Sequence, residues 1–109
     1  MKKIALNSVR GSKTGRPIMV LLDLLGRRMA LRVMWELSKS AEPMTFRDLQ
    51  AAAETNPSVL NARLKELREA RIISHEGDGY VLTETGHSLS ATLKPLHQWA
   101  RAWAQGADD

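Results

Sequence analysis

Asn56-Pro57-Ser58-Val59-Leu60-Asn61-Ala62-Arg63-Leu64-Lys65-Glu66-Leu67 is the stretch whose reading decides the fold. An amide followed by proline is a helix start. Asn56 can cap free N–H groups, and Pro57 suits the first helical position, where no N–H is needed. Leu60, Leu64 and Leu67 then recur at i, i+4 and i+7, the apolar stripe of a helix reaching to about Ala70. With that stripe turned inward, Ser58, Asn61, Ala62 and Lys65 fall on the far face near the N-terminus. Arg63, Lys65 and Arg68 outnumber Glu66 and Glu69, so this helix carries local positive charge.

Upstream, Thr45-Phe46-Arg47-Asp48 has the Thr-x-x-acid form of another helix start, with Thr45 as cap and a short helix to about Ala53. Glu54-Thr55-Asn56 turns the chain between the two helices. Pro43 disfavours helix at Glu42 and ends a preceding helix, expected from about Arg27 to Lys39 with Leu31, Met34, Trp35 and Leu37 apolar. Before it, Pro17 opens a helix with Ile18, Leu21, Leu22 and Leu25 at helical spacing. Gly26 is expected to close that helix as a residue tolerant of positive φ.

Downstream, Ile72 to Glu76 and Tyr80 to Leu82 are short β-prone runs around Gly77-Asp78-Gly79, read as a hairpin on an Asp-Gly turn. Thr83 or Thr85 caps a last helix to about Gln105, with Leu89, Leu93, Leu96, Trp99, Ala100 and Trp103 on one stripe. Pro95 lies inside it, where a kink or local break is expected. The fold class is mainly α with a small β-hairpin. Its element order is that of a winged helix-turn-helix, in which the turn over residues 53–56 sets a reading helix into a major groove.

The chain has 109 residues, suited to one domain, and no cysteine, which excludes disulfides, thiolate zinc sites and thiol redox switching. The net charge is +4, but it is unevenly placed. Residues 1–16 hold Lys2, Lys3, Arg10, Lys13 and Arg16 and no acid, while residues 17–109 hold 11 basic against 12 acidic side chains. The expected organisation is a basic arm, 1–16, and a winged-helix domain with dimerisation helices, 17–109. Such an arm is either a solvated tail or a segment lying along phosphates or in a minor groove. The apolar run Ile18 to Leu22 stops at Asp23, short of a membrane span, and Asn7, Ser8 and Arg10 end the opening apolar stretch that a signal peptide would continue. The expectation is a soluble, cytoplasmic, nucleoid-associated protein without a membrane partner.

Several stretches resemble the HxlR family of bacterial transcriptional regulators. They are Leu22-Asp23-Leu24-Leu25-Gly26-Arg27-Arg28, Trp35-Glu36-Leu37, Met44-Thr45-Phe46-Arg47-Asp48-Leu49 and, above all, Pro57 to Leu67. The wing Gly77-Asp78-Gly79-Tyr80 with Leu82-Thr83, and the ending Leu93-Lys94-Pro95-Leu96-His97-Gln98-Trp99, extend the likeness over about residues 17–103. The resemblance implies a dimeric DNA-binding regulator of MarR-like architecture, without catalytic activity. Two departures stand out. Arg16-Pro17 occupies the place where family members commonly carry a cysteine before the first helix, so thiol sensing cannot operate here. Arg71 replaces the glycine usual between the reading helix and the wing, and an arginine in a left-handed conformation is strained, so another helix ending is expected.

The candidate DNA-binding residues are Thr45, Arg47, Pro57, Ser58, Asn61, Ala62, Arg63 and Lys65, with Lys13 and Arg16 of the arm. Asn61 can pair with adenine N6 and N7, Ala62 can pack on a thymine methyl, and Ser58 can join the helix N-terminus in holding a phosphate. Thr45 and Arg47 are placed for backbone phosphate, Thr45 also as a plain cap, and Arg63 for either a phosphate or a salt bridge to a neighbouring acid. The wing tip, Glu76 and Asp78, repels phosphate, and only His75 there can help. Trp99 and Trp103 are either core against the first helix or interface anchors; a dimer interface is expected from Ile18, Leu21, Leu22, Leu93, Leu96, Trp99 and Trp103. His75, His87 and His97 have no i+3 or i+4 partner, so neither a metal nor a cofactor is expected, and no nucleophile–base pair or phosphate loop marks an enzyme. The expected function is a homodimeric, sequence-specific regulator of double-stranded DNA on a two-fold operator. A winged-helix adaptor for protein–protein contact is the alternative, and a small-molecule effector is left open.

Overall fold

The computed structural model describes residues 16–106. Five helices and one hairpin follow in order: α1 (Pro17–Leu25), α2 (Ala30–Lys39), α3 (Phe46–Ala53), α4 (Pro57–Glu69), β1 (Ile73–Glu76), β2 (Gly79–Leu82) and α5 (Glu84–Gly106). Local chemistry explains the starts. Thr45 accepts from the Asp48 N–H at 3.1 Å while the Asp48 carboxylate accepts from the Thr45 N–H at 3.3 Å, a reciprocal capping box that opens α3. Asn56 accepts from the Val59 N–H at 2.9 Å, with Pro57 in the first turn of α4. Thr83, rather than Thr85, caps α5: its hydroxyl oxygen accepts from the Gly86 N–H at 3.0 Å and donates to the Arg71 carbonyl at 2.7 Å. One side chain thus ties the last helix to the end of α4.

The core forms where these helices cross. Leu60, Leu64 and Leu67 of α4 are fully buried with Val33 of α2, Leu49 of α3 and Ile73 of β1. Val20, Leu24 and Leu25 of α1 and Leu82 of β2 join them. Gly86 lets α5 pass close to the chain between α4 and β1, since a Cβ there would collide with the Ile72 carbonyl oxygen. The hairpin is antiparallel, running from Ile73 opposite Leu82 to Glu76 opposite Gly79. The other edge of β2 pairs with Met44 through two backbone hydrogen bonds with Tyr80, at 2.7 and 3.1 Å, which roots the wing on the loop before α3. This is a winged helix-turn-helix.

Four local expectations are corrected. Gly26 ends α1 with a right-handed φ of −76°, and the positive φ falls instead on Met29 (72°), immediately before α2. Arg71 does adopt the left-handed conformation, at φ 61°. Its N–H bonds to the Arg68 carbonyl and that of Ile72 to the Leu67 carbonyl, both at 2.9 Å. These two bonds, with Ile72 and Leu67 both buried, form a Schellman closure that offsets the left-handed cost of roughly 1–2 kcal/mol. At the wing tip the two-residue turn is Gly77-Asp78, with the positive φ (61°) on Gly77. Finally, α5 runs unbroken through Pro95, so the local break is absent.

Candidate nucleic-acid interface

Burial of the leucine stripe decides which way α4 faces. Pro57, Ser58, Asn61 and Lys65 are exposed, and Ala62 is half-buried at the margin of that face. The α3–α4 turn places this face: Glu54 takes a left-handed φ of 54°, the Thr55 N–H reaches back to the Gln50 carbonyl at 3.4 Å, and Asn56 restarts the helix. Arg47 is exposed on the first turn of α3, while Thr45 is half-buried in its capping box. Arg32 braces the unit from behind. Its guanidinium donates to the Ala52 carbonyl near the end of α3 (2.8 Å) and to Glu36 (2.9 Å).

Arg63 is turned away from the exposed face. Its Nη1 donates to the Arg28 carbonyl at 3.1 Å and its Nε lies 2.9 Å from Glu66 Oε1. Of the two sequence-level alternatives for Arg63, the salt bridge is the one present, and Arg63 leaves the set of side chains displayed outward. Arg16 stands at the N-cap position of α1 and is exposed. Lys13 and the rest of the arm before Arg16 lie outside the described residues. On the wing, His75 is exposed and its ring stacks on Tyr80, with centroids 4.3 Å apart, and Glu76 and Asp78 are exposed at the tip.

The terminal helices display apolar surface. Ile18 and Leu22 of α1 are more than half exposed, as are Leu96, Trp99 and Trp103 of α5. Core packing for the two tryptophans is thereby excluded; they stack on each other with ring centroids 6.0 Å apart. Leu93 is half-buried against the core. Leu21 does the same and lines, with Val20, Leu24, Ile72 and Leu89, a cleft of about 320 Å³ between α1 and α5. Sequence reasoning did not single out Met19, Leu31 and Trp35 as surface residues, yet each is between 43% and 50% exposed. Trp35 reaches toward α5, its ring centroid 6.0 Å from that of His97, and Leu31 and Trp35 are four residues apart, the spacing of a shared helix face. Among the described residues no cluster of three metal-ligating side chains occurs, and no helix is long and apolar enough to cross a membrane.

The comparisons agree with this architecture. A family model described as HxlR-like helix-turn-helix matches residues 24–108. The quinone-bound YodB of B. subtilis is similar in structure, with a TM-score of 0.72 at 27% identity over 78% of this chain and 96% of that one. The reduced form of the transcriptional regulator YodB gives 0.64 at 26% identity, over 84% and 92%. A possible HxlR family transcriptional factor from Thermoplasma volcanium GSS1 shares the fold, with a TM-score of 0.71 at 23% identity over 83% and 86%. No curated protein matches. With that match running from the end of α1 through α5, the chain belongs to the HxlR-like helix-turn-helix family.

Proposed function

We propose that this protein is a sequence-specific regulator that binds double-stranded DNA as a homodimer, reading a two-fold operator with α4. The observation that carries the reading is the outer face of α4. A capped helix start after a tight turn presents Ser58, Asn61 and Lys65 to solvent while the leucines behind them are fully buried. Asn61 is the candidate for bidentate pairing with adenine, Lys65 and Arg47 for phosphate, and Ser58 for phosphate beside the helix N-terminus. Two copies are needed because one α4 spans one half-site, and the exposed apolar surfaces of α1 and α5 supply a surface for a second chain.

The test is selection of bound fragments from the source genome, followed by titration of the recovered duplex and a random duplex at several salt concentrations. A regulator binds the selected duplex more tightly by a factor of at least ~10³, with affinity falling steeply as salt rises. Recovery of no common sequence, together with binding that hardly responds to salt, would overturn the regulator and favour the protein–protein adaptor. Sedimentation of the full chain at tens of micromolar tests the dimer.

A further inference from the structure

Glu66 and Glu36 are the buried charged residues among the described residues. Glu66 belongs to α4, four and five residues past Ala62 and Asn61, yet its carboxylate is directed to the corner between α1 and α2. Arg27 Nη1 stands 3.0 Å from Oε2, and Arg63 approaches with Nε at 2.9 Å and Nη2 at 3.4 Å. Through its third nitrogen Arg63 also donates to the Arg28 carbonyl. Both arginine side chains are themselves mostly covered, 17% and 16% exposed. Two guanidinium groups therefore share one carboxylate. Arg63 Nη2 donates a long hydrogen bond to Glu66 Oε2, while Arg27 Nη1, Arg63 Nε and Glu66 Oε1 are buried without a well-aimed one, so charge more than hydrogen-bond alignment holds the cluster. Away from water that attraction is screened less than at the surface.

Cations beside a DNA-reading helix are normally drawn to phosphates, and Arg63 follows Asn61 by only two positions. We propose that Glu66 is a specificity-determining positioning residue: it holds Arg27 and Arg63 away from the DNA backbone and fixes α4 to the α1–α2 corner, so that Ser58, Asn61 and Lys65 present one register. The proposal rests on the reading of α4 as the DNA-facing helix. Each phosphate neutralised strengthens binding to every sequence alike, whereas base contacts strengthen binding to one. Withdrawing two cations per chain lowers general affinity and widens the gap between the operator and other DNA.

Glu66→Gln keeps the shape and removes the charge. In salt titrations of the full chain, this variant is expected to bind random duplex about tenfold more tightly at moderate salt, with a log–log slope steeper by roughly 2 to 4 per dimer, at about 0.9 per phosphate for four released arginines. The preference for the selected duplex over random DNA should fall at least tenfold. Loss of packing alone would weaken binding without steepening the slope. Unchanged slope and preference would overturn the proposal. If Glu66→Gln does not fold by circular dichroism, Arg63→Gln decides, because it leaves the Glu66–Arg27 pair in place. Its slope on random DNA should match the parent, with the preference reduced. A slope shallower by about 2 would show that Arg63 already meets phosphate and would overturn the proposal. A parent chain that binds neither duplex overturns the reading of α4 itself, and this proposal with it.

Discussion

α4 and α5 begin alike and end differently. Each starts on a side-chain cap, Asn56 or Thr83, and each carries an apolar stripe. The stripe of α4 is wholly buried and its outer face is polar; from Lys94 onward every described residue of α5 is exposed, including Leu96, Trp99 and Trp103. A polar face is satisfied by water until a partner rich in hydrogen-bonding groups replaces it. Two exposed indoles, each able to bury roughly 150–250 Å², favour an apolar partner instead. The same helical periodicity thus supports two recognition chemistries, and side-chain type at the outer positions separates them.

Truncations test the contrast directly. Leu64→Ala, in the buried stripe, should cost roughly 2–5 kcal/mol in chemical denaturation, and a loss under 1 kcal/mol would mean that α4 is not held by that stripe. Trp103→Ala should instead weaken self-association by about 2 kcal/mol or more, shifting sedimentation toward monomer, while Trp99→Ala does so to a lesser degree. A monomeric parent at tens of micromolar would remove the apolar half of the comparison. Asn61→Ala, on the polar face, should relax base preference at one position per half-site at roughly 1–3 kcal/mol per lost contact, leaving sedimentation and unfolding unchanged. The smallest effect belongs to the joint that ends α4. Arg71→Gly should stabilise the fold by up to about 1 kcal/mol, because glycine adopts the left-handed conformation without the Cβ penalty. A destabilised variant would assign the arginine side chain a contribution that outweighs its backbone strain.

How much of this is legible in the sequence depends on the range of the interaction. Caps are local: Thr45 with Asp48, and Asn56 with Pro57, can be read within four residues, and both form as expected. The leucine period of α4 and the hairpin are legible for the same reason. Left-handed joints are less so. Glycine permits a positive φ without requiring it, as Gly26 shows, while Arg71 accepts one because two backbone bonds and the burial of Ile72 compensate. The fate of Arg63 is half legible: Glu66, three residues on, offers the salt bridge that the sequence leaves open beside a phosphate contact, whereas the Arg28 carbonyl that it also bonds is 35 residues away. Surface exposure of Trp35 is likewise decided by where α5 runs, a tertiary fact that the period of α2 does not contain.

Pro95 gives the last helix a mechanical character. Proline supplies no N–H to the Ala91 carbonyl one turn earlier, and one turn before Pro95 the Thr92 hydroxyl donates back to the Ser88 carbonyl at 3.0 Å, a contact that favours bending. These two weak points sit at the boundary between the docked and exposed parts of α5. The segment from Pro95 to Gly106 is about 16 Å long at 1.5 Å per residue, so a flexure of roughly 10° displaces its tip by about 3 Å. That is close to the rise of a single base pair. If two chains pair through those tips, as proposed, a flexure at this joint would change the separation of their α4 helices by a few ångströms.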